Sequence, residues 1–220
     1  AECHRPGDHR VLWASAMAAL LHQRGIPIIH GSAIHTPLGA VIFSGPSGSG
    51  KTTTAAAFAI NHKEMVLTDD ITAIGVDLNG NPFVLPGYPL MKLWRDSADK
   101  MGFHWDEHNL IREEVHKMLV NISDRFMETP APLRQIYLLS YRNGDHPEIN
   151  ELTGVKKMEL VMGKVFRKNY LKSNQAGARE IFNAFSALLP KVRVCTLERP
   201  HGIGFLDETL RVIELDLGLD

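Results

Sequence analysis

Apolar positions along the 220-residue chain fall into short blocks separated by Gly, Pro and polar turns, and the period of each block predicts an element. The first block, VLWASAMAALL at 11–21, is far shorter than the roughly 20 residues that a bilayer crossing needs, and it runs into His22, Gln23 and Arg24 rather than a cleavage site. It predicts an amphipathic helix over about 9–24 that packs on the rest of the chain. Residues 27–35 read as a strand, TPLG as a turn, and AVIFS at 40–44 as a strand apolar enough to be buried on both faces. GPSGSGKTTT then opens a helix that continues through 55–61, rich in Ala and without Gly or Pro. Residues 65–77 read as a strand, an acidic pair and a second strand, and NGN at 79–81 has hairpin-turn chemistry ahead of PFVLP.

Beyond that point the pattern weakens. From 94 to about 129 the chain is polar, with His and acidic residues interspersed, and it reads as helical without sharp ends. LRQIYLLSYR at 133–142 returns to strand character. Residues 153–189 predict two helices, the first amphipathic and dense in Lys and Arg. Residues 192–197 read as a late strand and 207–217 as a closing helix or strand. Strands alternating with helices predict a layered α/β fold, and the length suits one domain spanning 1–220 around one core.

Composition narrows the function classes. With 24 basic against 25 acidic residues the formal charge is -1, so the chain has none of the basic excess needed to coat nucleic acid or an anionic membrane; neither is an expected partner. Its two cysteines, Cys3 and Cys195, lie far apart without a secreted-protein spacing, which predicts no disulfide framework and fits a reducing cytoplasm.

Chemistry concentrates in Gly45-Pro46-Ser47-Gly48-Ser49-Gly50-Lys51-Thr52, a full G-x-x-x-x-G-K-[ST] match between a buried strand and a helix. Such glycines let the backbone curl until successive amides point at phosphate oxygens, with the positive end of the following helix behind them. Gly45, Ser47, Gly48, Ser49, Gly50, Lys51, Thr52 and Thr53 are therefore the expected binding residues for a nucleoside triphosphate, ATP with Mg²⁺. Lys51 would reach the β and γ phosphates, and the Thr52 hydroxyl would ligate the metal. Asp69-Asp70 closes the next apolar run, one short helix after the loop. One carboxylate of such a pair can serve the metal while the other accepts a proton from an attacking hydroxyl; a solvated turn or helix cap is the plainer use of the same residues. There is no LSGGQ-like string and no NKxD, which speaks against transport ATPases and GTPases.

The run HGSAIHTPLGAVIFSGPSGSGKTTTAAAFA followed by LTDD resembles the catalytic domain of bacterial HPr kinase/phosphorylase over about a third of the chain. The resemblance implies an α/β P-loop kinase domain of the HPr kinase and phosphoenolpyruvate carboxykinase type, with a mixed sheet flanked by helices. It puts His30 on the family's active-site histidine and Lys51 and Thr52 on its phosphate and Mg²⁺ residues. Asp69 falls on the proton-accepting carboxylate and Asp70 on the carboxylate near the metal. It also implies a homo-oligomer. In place of the Gly-rich signature tied to phosphorolysis, this chain has VLPGYPLMKLWRDS, which implies kinase activity without efficient reversal and an acceptor other than the carrier HPr. PGYP and LW after the acidic pair are similar to a single-domain branch that includes lasso-peptide tailoring kinases, so the implied acceptor is the C-terminal serine of a ribosomally made precursor peptide. A small-molecule kinase on the same scaffold, or a nucleotide-gated binding module without transfer, would share these motifs.

Other features carry less. His104 and His108 share a helix face, with His116 beyond, but the group has no cysteine and lacks the order of a recognised zinc site. Lys156, Lys157, Lys164, Arg167, Lys168 and Lys172 make a basic stretch that reads first as an exposed face and second as a phosphate or acidic-peptide site. Arg125, Arg134 and Arg142 are candidates for steadying transferred phosphoryl charge. Tyr88, Trp94, Phe103 and Trp105 are expected to be packing residues, and His35 a surface residue.

Overall fold

The computed structural model describes residues 6–62, 64–103, 110–112, 115–172 and 174–219. The fold is a mixed α/β arrangement in which helices flank a mostly antiparallel sheet with a parallel portion. Helix α1 (Pro6–Gln23) leads into strand β1 (Ile28–Thr36), which turns at TPLG into β2 (Gly39–Ser44). The phosphate-loop sequence joins β2 to helix α2 (Lys51–Asn61), followed by β3 (Met65–Thr68), β4 (Ile71–Val76) and β5 (Pro82–Val84). The β4–β5 hairpin turns where NGN predicts it, and the Asp77 carboxylate accepts the amides of Asn79 at 2.8 Å and Asn81 at 2.7 Å.

The remaining strands of the large sheet are β9 (Ala131–Tyr141), β10 (Glu148–Glu151) and β11 (Arg193–Arg199), in the order β10-β11-β9-β2-β1-β4-β5 with β3 also against β1. β9 runs parallel to both β2 and β11, and its start also meets β5, so the sheet curls round on itself.

Period-2 burial divides the core. Val41 and Phe43 face one side, where they pack with α2 and with helix α6 (Leu206–Leu217); Ala40 and Ile42 face the other, under helices α4 (Gly154–Met162) and α5 (Gln175–Leu188). Ala18 of α1 packs on Ile28 and Ala73. Phe43 lies between Phe58 and Tyr137, with ring centroids 5.9 and 5.8 Å away. The closing segment 207–217 is helical, resolving the helix-or-strand alternative.

One expectation fails in the middle of the chain. In place of helical character over 94–129, the described residues form one short α-helix, α3 (Arg95–Lys100), a 3-10 turn at Ser123–Arg125, and a three-stranded sheet of β6 (Leu90–Trp94), β8 (Val115–Asn121) and β7 (Leu110–Arg112). Met91 and Leu93 of β6 and Met118 and Val120 of β8 are buried in the same core as α2. That two-residue alternation pays off only in a strand, and it overrides the helix-forming composition. Cys3, His104, Trp105, His108 and the side chain of His116 lie outside the described residues; Cys195 is buried and free. Among the described residues no helix is long and apolar enough to cross a membrane.

Candidate active site

The site forms where β1 changes partners. Along one edge, Ile28, Ile29 and His30 pair with β4, while Ala33, Ile34 and His35 pair with β3. The link between β3 and β4 is Asp69-Asp70, so the acidic pair is pinned to the interruption in the middle of β1. Gly31 donates its amide to the Asp70 carbonyl at 3.3 Å, and His30 Nδ1 lies 3.0 Å from the same oxygen. Asp70 has a positive φ of 68°, a left-handed conformation that Asp tolerates better than most residues and that lets the chain reverse within two residues.

β2 delivers the phosphate loop to the same edge. Gly48 and Gly50 take φ values of 83° and 94°, open to glycine at little cost, and a side chain on Gly48 would meet no atom within 4 Å, so that face of the loop is free for a ligand. Gly45 is required for the opposite reason: a Cβ there would stand 2.5 Å from the Leu139 carbonyl oxygen. Lys51, the first residue of α2 and only 7% exposed, arches back to donate to the Pro46 carbonyl at 2.9 Å. Burial lowers the ammonium's pKa, against the pull of Asp70 and Asp69.

The two carboxylates occupy different environments. Asp69 Oδ1 accepts from the Ser32 hydroxyl at 2.6 Å and from the Thr52 hydroxyl at 2.8 Å, and Oδ2 accepts the Lys92 amide at 3.0 Å. Its pKa is raised, first by burial and then by the charge of Asp70. Asp70 pairs through Oδ2 with the Lys92 ammonium. Burial alone would raise its pKa, but Lys92, joined by His30 and Lys117, outweighs burial and holds it below the usual carboxylate range. His30 stacks on Phe166 with centroids 5.6 Å apart, and burial, reinforced by Lys51, lowers its pKa and favours the neutral imidazole.

Two residues that no local spacing could reveal hold this framework. The Lys92 side chain and amide each engage a different member of the acidic pair. Arg199, 5% exposed, donates from Nη2 and Nε to the Ser49 carbonyl at 3.1 and 3.3 Å while its guanidinium packs against Gly50. Tyr141, whose ring lies 5.1 Å from Arg199 Cζ, donates its hydroxyl to the Gly48 carbonyl.

A cavity of about 800 Å³ opens over the loop. Of the expected residues, Ser47, Gly48, Gly50, Lys51, Thr52 and Thr53 line it, as do His30 and Asp70. Gly45 and Ser49 stand behind the loop; the Ser49 hydroxyl is buried at 1% exposure, turned away from the cavity. A second cavity of about 830 Å³ meets the first at Asp70 and Lys92 and is lined by Asp69 and largely apolar residues. Trp94 and Tyr88, expected to pack, are instead 40% and 60% exposed at the rims of these two cavities; Phe103 packs as expected. Lys92, Lys117 and Arg199 line the first cavity, whereas Arg125, Arg134 and Arg142 do not. Arg142 pairs with Glu148, and Arg125 caps the Ala59 carbonyl.

Among the described residues no group of three or more His, Cys, Asp or Glu is arranged to hold a metal unaided. The Thr52 hydroxyl beside carboxylate oxygen is nonetheless a hard donor set that fits Mg²⁺, which commonly takes one or two protein oxygens and completes its shell with phosphates and water.

No protein-family model matches the chain, and no curated protein does. One solved structure similar to it is that of the Hpr(Ser) kinase/phosphatase from Coxiella burnetii, with a TM-score of 0.45 and 10% sequence identity over 87% of this chain and 92% of that one.

Proposed function

We propose that the chain is an ATP-dependent phosphotransferase that moves the γ-phosphoryl group to the serine hydroxyl of a peptide, most specifically the C-terminal serine of a ribosomally made lasso-peptide precursor. The observation that carries the reading is the Thr52–Asp69 hydrogen bond of 2.8 Å, which joins the end of a complete phosphate loop to one of a pair of carboxylates whose basicities differ.

In this reading the Gly48 and Gly50 region and Lys51 cradle the polyphosphate, and Thr52 with the Asp70 carboxylate would hold Mg²⁺. When bound, the metal neutralises charge on the β and γ phosphates. Asp69, the more basic carboxylate, takes the proton as the serine oxygen forms its bond to phosphorus and the bond to the ADP oxygen breaks. Asp70, kept ionised by Lys92, supplies lasting negative charge on the metal side, and neutral His30 orders the Asp70 main chain. Such a site works by positioning and charge compensation rather than covalent chemistry.

Incubation with radiolabelled ATP, Mg²⁺ and serine peptides, read by mass spectrometry, tests this. Phosphoserine in wild type, with transfer lost in Lys51→Ala, is the expected result. Tight ADP binding with neither transfer nor hydrolysis would favour the nucleotide-gated binding module instead.

A further inference from the structure

The second cavity includes no residue of the phosphate loop and shares only Asp70 and Lys92 with the cavity over it. Met17 and Leu21 of α1, Ala73 of β4, Leu85 and Leu119 form its apolar wall. Its polar end is Asp69, Asp70 and Lys92, and the last two are shared with the loop cavity. A group seated against the apolar wall would therefore present its hydroxyl at Asp69, across the carboxylates from the γ-phosphate. Lys92 is already paired with Asp70, so the wall itself offers little to a charged group and favours carbon surface.

We propose that this cavity is the acceptor subsite and that it receives an apolar side chain adjacent to the serine that is phosphorylated. The assignment rests on the kinase reading above and adds the substrate's chemistry to it: α1 and the segment around Leu85 select for Leu- or Phe-like neighbours of the acceptor serine.

The test uses the full chain with Mg²⁺ and labelled ATP, and a set of N-acetylated serine peptides in which the residue before serine is Leu, Phe, Gly, Glu or Lys. The Leu and Phe peptides should exceed the Gly peptide in kcat/KM by at least about tenfold, as filling an apolar pocket does. Met17→Glu should lower transfer to the Leu peptide by about tenfold and raise the Lys peptide relative to it, while Met17→Leu keeps the wild-type order. Leu85→Lys, which brings the opposite charge from Met17→Glu to the same cavity, should instead raise the Glu peptide relative to the Leu peptide. Equal rates for Leu and Gly, transfer to free serine as fast as to the Leu peptide, or an order unchanged by both charged variants would overturn the assignment. Transfer to all five peptides at one rate would overturn it and leave the kinase reading standing, whereas hydrolysis of ATP without transfer to any of them would overturn both. Failure to bind Mg·ADP would overturn both.

Discussion

Three hydrogen bonds end on the Asp69 carboxylate, yet burial and neighbouring Asp70 still leave it a stronger base than a free aspartate. As the proposed base it must be ionised to act, so kcat/KM should rise with pH along an acid limb whose midpoint lies above the ordinary aspartate value. The limb belongs to the pair rather than to one residue. Lys92→Met removes the cation that holds Asp70 ionised; with two carboxylates then competing, the limb should move to higher pH and transfer at neutral pH should fall roughly tenfold, about 1.4 kcal/mol. An unmoved limb in the pH profile would remove Lys92 from the electrostatic account. The glycine-lysine-threonine string and the Asp pair were legible in the sequence because each is local and its chemistry dictates its spacing. Lys92 was not, since a lysine 23 positions beyond Asp69 becomes a partner only when β6 folds back across the end of β3.

At the scale of elements, the loop owes its shape to strands that arrive from distant parts of the chain. Arg199, at the end of β11, is separated from Ser49 by 150 residues, and its planar fork, engaging one carbonyl through two nitrogens, is a geometry Lys cannot reproduce. Arg199→Lys and Arg199→Ala should each weaken Mg·ADP binding by about tenfold, roughly 1.4 kcal/mol, measurable by isothermal titration calorimetry; equal affinity in Arg199→Lys would show that charge alone suffices. Behind the loop, Phe58 anchors α2 against Phe43 in the core. Phe58→Ala should cost about 3–5 kcal/mol of stability in denaturant titrations. The β1–β2 hairpin, α2 and the β3–β4 turn were readable from apolar period and turn residues. The β6–β8–β7 sheet was not: its burial pattern is short, flanked by polar residues and intelligible only once α2 is in place to cover Met91 and Met118.

Across the whole molecule, the α/β class followed from the alternation of blocks, but the antiparallel weight of the sheet did not, because pairing depends on which edges meet rather than on any one block. The C-terminal helix is tied to the sheet by charge. Arg193 grips Asp216 with two nitrogens, at 2.6 and 2.9 Å, while Tyr137 and Gln135 donate to the same carboxylate. Burial would raise the Asp216 pKa, but the hydrogen bonds from Arg193, Tyr137 and Gln135, with the Arg193 charge, together prevail and hold it below the usual range. The stability it contributes is therefore present above the unfolded-state value and lost as pH falls through the folded one. Asp216→Ala should lose about 2 kcal/mol at neutral pH, and the gap from wild type in thermal melts should close below about pH 4. A gap independent of pH would place the contribution in packing rather than charge.

The most direct test is single-turnover phosphoryl transfer from Mg·ATP to a serine peptide by wild type and Asp69→Asn, with Mg·ADP affinity measured on both. The account predicts a loss of transfer on the order of 10²-fold or more with affinity changed only a few-fold. Transfer surviving nearly intact in Asp69→Asn would contradict it.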